Sequence, residues 1–290
     1  MKPRTFVLTA LLAVSTPLLA SCGAAGGASS TRTSVVTSFY PLEYVARRIA
    51  GDHTDVTNLT QPGREPHDLE MTVRQTAQVS GADVVVYEKG FQADVDDAID
   101  QNAPSHVVDA GVAAGLSGDD PHFWLDPTKL STVAAAVEKS LADDDPDHAT
   151  DYARNLKRLQ GDLAGLDAAY TKGLATCRVH TIVVSHDAFG YLGRRYGLDV
   201  VGINGLSPDA EPSPAHLRAL QDLIRRDGIT TVFSEELASP KFADSLSSDL
   251  GISATVLDPI EGLSDATSDQ DYLSLMRTNL ATLRKANSCS

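Results

Sequence analysis

The chain is poor in positive charge. Lysine and arginine number 24 against 39 aspartates and glutamates, the formal net charge is −15, and no basic cluster occurs. That excludes the electrostatic footprint of a nucleic-acid binder or of a protein adsorbed on anionic lipid. Past the N-terminus no apolar run approaches the ~20 residues that span a bilayer. Cysteine occurs three times and tryptophan once. A catalytic glycine-rich loop and a short-period repeat are both missing. His67-Asp68-Leu69-Glu70 lacks the second histidine of the His-Glu-x-x-His helix of zinc proteases. Ser185-His186-Asp187 is no triad, because neighbours on a strand point to opposite faces.

What is present begins with a targeting segment. Lys2 and Arg4 precede an apolar run from Phe6 to about Leu19, too short to cross a membrane, and residues 1–21 read as a cleaved signal. Leu19-Ala20-Ser21-Cys22 resembles a bacterial lipobox, in which Cys22 is lipidated and becomes the first mature residue. Residues 22–33, rich in Gly, Ala, Ser and Thr, form a flexible tether. The other two cysteines, Cys177 and Cys289, lie in an exported chain, where a disulfide is expected. Closing a loop of that length is worth about 4–5 kcal/mol in the chain-entropy model.

Strands and helices then alternate. Residues 34–144 hold about four βα pairs, with strands around Val35–Phe39, Val56–Leu59, Asp83–Tyr87 and His106–Val108. Residues 176–290 hold about four more, with strands around Thr181–Ser185, Leu198–Val201, Ile229–Phe233 and Ala254–Leu257. Such alternation implies an α/β fold of two lobes, each a parallel sheet flanked by helices. Between them, residues 145–175 carry Tyr152, Leu156, Leu159, Leu163, Leu166 and Tyr170 at helical spacing. One apolar stripe over about 26 residues describes a rigid rod of about 39 Å joining the lobes.

Four polar residues follow strand ends: His67, His122, His186 and Asp258. That edge is where open α/β sheets bind ligands. His122 lies in Asp120-Pro121-His122-Phe123-Trp124-Leu125-Asp126-Pro127, a stiff turn in which Asp126 caps the next helix. Three imidazoles and a carboxylate make a tetrahedral set suited to zinc. The long spacings leave open that these are ordinary buried histidines. His53, His106, His148, His180 and His216 read as bystanders, and Glu235-Glu236 as solvent-facing. Four protein ligands would leave no position for an activated water, which favours carrying a metal over a zinc-dependent hydrolase.

Taken together, Glu65-Pro66-His67-Asp68-Leu69-Glu70, the stretch around His122, Ser185-His186-Asp187-Ala188-Phe189-Gly190-Tyr191 and Leu257-Asp258-Pro259-Ile260 resemble the solute-binding lipoproteins of zinc and manganese ABC importers, the cluster A-I family. The resemblance implies two lobes joined by one long helix, with His67, His122, His186 and Asp258 as ligands of a transported Zn2+. It also implies a monomeric, non-enzymatic receptor, held at the cell membrane by its lipid anchor, that serves a permease and its ATPase. Manganese-preferring members commonly carry a carboxylate where this chain has His186, so three histidines point to zinc. An adhesin role is a further alternative that some relatives suggest. One departure stands out. The histidine-rich loop of many zinc-binding relatives is replaced here by the short Gly115-Leu116-Ser117-Gly118-Asp119-Asp120.

Overall fold

The structure is a computed structural model describing residues 32–102, 104–116 and 118–290. The signal segment, Cys22 and nearly all of the tether lie outside the described residues. The first lobe runs β1 (Thr33–Thr37), α1 (Tyr40–Ala50), β2 (Thr54–Asn58), α2 (Val73–Ser80), β3 (Val84–Tyr87), α3 (Ala93–Asn102), β4 (His106–Asp109), α4 (Ala110–Ala114) and α5 (Pro127–Asp144). The long helix α6 spans Ala149–Leu174. The second lobe follows with β5 (Thr181–Val184), α7 (Gly190–Tyr196), β6 (Asp199–Gly202), α8 (Pro214–Asp227), β7 (Thr231–Ser234), α9 (Lys241–Leu250), β8 (Ser253–Val256) and α10 (Tyr272–Ala286).

Both sheets are parallel and share one strand order. The first is β2-β1-β3-β4 and the second β6-β5-β7-β8. In each, the chain moves outward by one strand and then crosses back, so the order reverses between the first and third strands. That reversal opens a crevice at the carboxyl ends of the strands. β3 is buried along its whole length, as a strand covered on both faces must be.

Local chemistry sets the element ends. α2 starts later than the expected Glu70, because Thr72 and Gln75 form a reciprocal capping box. The short α4, which the hydropathy pattern does not announce, is nucleated by Asp109, whose carboxylate accepts from the Gly111 and Val112 N–H groups. α6 begins at Ala149 after a 3-10 turn at Pro146–His148. Gly228 stops α8 in the left-handed region, at φ 65°.

α6 bears on both lobes. It packs on α1 and α5 of the first lobe and on α10 and α7 of the second. Asn155 donates to the Ile49 carbonyl at 2.9 Å, and the Tyr170 hydroxyl donates to the Met276 carbonyl at 2.6 Å. Tyr152, Leu159, Leu163, Leu166 and Tyr170 are buried along one stripe. One apolar cluster passes unbroken from Val35 in the first lobe, through that stripe, to Leu283 in the second. Cys177 and Cys289 are joined by a disulfide that fastens the end of the chain beside the start of the second lobe. No described helix is long and apolar enough to cross a membrane.

Glycines in two settings separate packing from backbone entropy. A Cβ on Gly165 of α6 would meet nothing within 4 Å, so Gly165→Ala should stabilise by about 0.5–1 kcal/mol. A Cβ on Gly193 would lie 2.6 Å from Val200 Cγ2 and 2.7 Å from the Leu198 carbonyl oxygen. Gly193→Ala should cost about 1–3 kcal/mol. Denaturant midpoints of the two variants check both signs.

Candidate metal centre

Each histidine of the site sits on a short rigid turn at the carboxyl edge of a sheet. After β2, the 3-10 turn Pro66–Asp68 carries His67, and the Glu65 carboxylate accepts the His67 N–H at 3.3 Å. His122 precedes the 3-10 turn Phe123–Leu125. Asp126 caps α5 there, accepting from the Thr128 N–H at 2.9 Å and its hydroxyl at 2.7 Å. His186 follows β5 by two residues.

Two of the imidazoles are held the same way. Asp120 Oδ1 accepts from both the backbone N–H (3.1 Å) and Nδ1 (2.9 Å) of His122. Glu235 Oε1 accepts from both the backbone N–H (3.0 Å) and Nδ1 (2.7 Å) of His186. With Nδ1 donating to a carboxylate, each ring presents a bare Nε2 lone pair on its other side. The two Nε2 atoms lie 3.2 Å apart. Glu235 was expected to face solvent. It is 6% exposed, because the chain leaving β7 turns its carboxylate into the cleft beneath His186.

The fourth group is Glu261. One of its oxygens lies 3.1 Å from His122 Nε2, 3.3 Å from His186 Nε2 and 3.5 Å from His67 Nε2. Both carboxylate oxygens and His67 Nε2 are buried without a directed hydrogen bond to a described residue. The donor atoms of His67, His122, His186 and Glu261 all lie within 4.8 Å of one another, and no other group of three or more among the described residues meets that test.

Asp258, the carboxylate expected here, is not in the group. Its Oδ1 accepts the Ile260 N–H at 2.8 Å. Its backbone is clamped by Asn279, which accepts from the Asp258 N–H at 3.0 Å and donates to the Asp258 carbonyl at 2.6 Å. Ile260 takes a positive φ of 58°. Asp258 thus caps a sharp turn, and the turn swings Glu261, three residues on, into the position that a strand-end residue was expected to fill. Only the run of apolar neighbours around a lone Glu261 signals this in the sequence.

Aromatic rings brace the imidazoles. Trp124 lies 5.2 Å from His122 and Phe91 lies 4.6 Å from His67, centroid to centroid. The Trp124 indole donates to the Pro259 carbonyl at 2.7 Å, and the Tyr272 hydroxyl donates to the Trp124 carbonyl at 2.5 Å. Both bonds cross between the lobes. The other five histidines lie elsewhere; His53, for example, stacks on His148 with centroids 3.9 Å apart.

The electrostatics follow from this crowding. Burial lowers the His186 pKa, but the Glu235 and Glu261 carboxylates outweigh it and push the group up to about 10. For His122, burial is likewise outweighed by Asp120 and Glu261, and its pKa is raised. Burial works against Glu261, yet the three imidazoles hold it well below the usual carboxylate range. Burial pushes Asp258 up to about 7, and burial with the Glu261 charge pushes Glu65 up to about 9. A histidine with a raised folded pKa contributes its stability fully below its unfolded value of about 6.5 and loses it as pH climbs through the folded value. The raised carboxyls act in the same direction. The melting temperature of metal-free protein should therefore fall as pH is raised from 6.5 toward 10, as calorimetry can establish. A flat profile over that range would contradict the pairing of His186 described above.

Comparison with known proteins places this geometry. A family model described as "Zinc-uptake complex component A periplasmic" matches residues 35–286. The chain is similar to the zinc-binding lipoprotein AdcA of Streptococcus pneumoniae, 32% identical over 278 residues, covering 88% of this chain and 56% of that protein. It is also 32% identical to the high-affinity zinc uptake system protein ZnuA of Bacillus subtilis, over 92% of this chain and 93% of that one. The chain thus spans about half the length of the AdcA relatives. Among solved structures, the Zn(II)-bound ZnuA-like domain of S. pneumoniae AdcA superposes with a TM-score of 0.78 at 32% identity, covering 88% of this chain and 99% of that one. The laminin-binding protein Lmb of Streptococcus agalactiae, described as bifunctional with adhesin and metal transporting activity, gives 0.79 at 31% identity, with the same coverage of both chains.

Proposed function

We propose that this chain, which belongs to the periplasmic zinc-uptake component A family, is the extracytoplasmic receptor of an ABC importer. In this reading it binds one Zn2+ and presents it to a permease and its ATPase, tethered to the membrane by a lipid on Cys22. The observation that carries the proposal is the convergence of three imidazole nitrogens and the Glu261 carboxylate on one buried point. Such a set satisfies the four-coordinate preference of zinc, and three nitrogens favour it over manganese. Four protein ligands also leave no open position for a reacting water, unlike a catalytic zinc site.

The remaining residues act on the ligands. Asp120 and Glu235 fix the tautomer and orientation of His122 and His186, so that Nε2 is bare and aimed at the metal. Asp258 shapes the turn that delivers Glu261. His67, whose side chain is 15% exposed against 0% for the other two, is the ligand on the open side of the site. Zinc would reach and leave it first.

Competition titration with a chromogenic chelator should give one tightly held zinc per chain. His67→Ala, His122→Ala, His186→Ala and Glu261→Gln should each weaken it by more than ~100-fold, and Glu235→Gln by about 10–100-fold, the range typical of outer partners. Asp258→Asn should stay within about tenfold of wild type, since it touches the turn and not the metal. If Asp258→Asn proved the damaging change and Glu261→Gln the silent one, the fourth position would revert to Asp258. Calorimetry in two buffers near pH 7.5 should show at least one proton released per zinc, from His186, whose pKa is pushed up to about 10.

A further inference from the structure

The shared strand order gives each lobe a glutamate at the same place. Glu235 is the residue immediately after β7, and Glu88 is the residue immediately after β3. Both therefore lie where the strand order reverses, the crevice in which open α/β sheets take ligands. Glu235 is engaged by His186. Glu88 has no comparable partner: it is 4% exposed, and its Oε2 makes no hydrogen bond to any described residue.

Glu88 lines a cavity of about 460 Å3 together with Lys89, Phe91, Asp109, Asp119 and Asp120. Four acidic side chains thus line it with one ammonium group, and one of the four, Asp120, is also met by the Arg194 guanidinium at 3.4 Å. Burial pushes the Glu88 carboxyl up to about 9, and the charges of Asp109 and Asp120 push the same way. Asp109 spends Oδ1 on the Gly111 and Val112 N–H groups, at 2.9 and 3.3 Å. What separates this place from an ordinary acidic patch is Glu88. A buried carboxyl with no donor is costly to ionise, and a cation that displaces its proton supplies the counter-charge the carboxylate lacks.

The chemistry of that cation follows from the donors. They are all oxygens, and they do not converge within the direct-coordination distance seen at the histidines. The cavity instead has room for an ion with its water shell. Magnesium, manganese and calcium take oxygen ligands, and the smaller ions among them keep several waters, whereas zinc favours nitrogen and sulfur. We propose that this cavity is a second cation site, which takes a hydrated divalent cation of the oxygen-preferring class on Glu88 and Asp109, with Asp119 and Asp120 adding negative charge. The site is separate from the histidine centre and does not depend on which metal that centre holds.

The probe is Mn2+, titrated into protein already saturated with zinc and followed by the loss of the free-ion paramagnetic resonance signal. One further Mn2+ per chain is expected, with a Kd on the order of 10−4–10−3 M, displaced by Ca2+ or Mg2+. Glu88→Gln should weaken it at least about tenfold while leaving zinc stoichiometry at wild type. Asp119→Asn, an exposed change that leaves the fold alone, should weaken it by a smaller factor. The same titration of His186→Ala removes any contribution from the histidine centre, so the result stands even if the zinc assignment fails. Mn2+ binding that persists in Glu88→Gln, that disappears in His186→Ala, or that is absent from zinc-loaded wild type would each overturn the proposal.

Discussion

Two imidazole nitrogens with bare lone pairs, 3.2 Å apart and sharing a carboxylate, cannot face one another without a positive charge between them. Much of the rest of the structure enforces that juxtaposition. Asp120 and Glu235 turn the lone pairs inward, the two sheets bring them from opposite lobes, and a continuous apolar core keeps the lobes in contact. In metal-free protein protons supply the charge, held there by the Asp120, Glu235 and Glu261 carboxylates that raise the His122 and His186 pKa values. Metal and proton therefore compete for one point, and the fold supplies the pressure for either to be there.

Much of this was legible in the sequence. Strand–helix alternation in two blocks, with a 4-3-4-3-4 apolar stripe between them, is a strong periodic signal, and the parallel sheets and α6 follow from it. His67, His122 and His186 could be singled out because each follows a strand end near rigid turn residues. Glu261 could not be found by that rule. It lies five residues beyond β8, past a turn whose direction depends on the positive φ of Ile260 and the grip of Asn279 on Asp258. Such a turn is decided by tertiary contact, and a strand-end rule stops one turn short. The inward direction of Glu235 was hidden for a related reason. Two adjacent glutamates after a strand point to different faces, and the spacing alone does not say which faces the cleft.

The two lobes repeat one plan with different outcomes. Each places a glutamate at the reversal of its strand order, and in the second lobe that glutamate is part of the hydrogen-bonded frame of the metal centre. The short acidic loop Gly118-Asp119-Asp120 connects the two settings. Asp120 holds His122 through Oδ1 and also lines the cavity of Glu88. In that loop this chain presents carboxylates, which are harder ligands than imidazole with weaker affinity for zinc.

The crossing hydrogen bonds of Trp124 set a limit on how often the lobes separate. Trp124 is fully buried, packed on Phe39, Phe91 and Phe123 of its own lobe, and parting the lobes at that point would break its bond to Pro259 and wet only the part of the ring that faces the second lobe. At about 25 cal/mol per Å2, wetting about half of a ~200 Å2 side chain costs about 2.5 kcal/mol, so such an open form would hold on the order of one molecule in a hundred. Exchange of the bound ion on a faster or more populated route has to pass through local movement of the turns around His67, with the two lobes staying together.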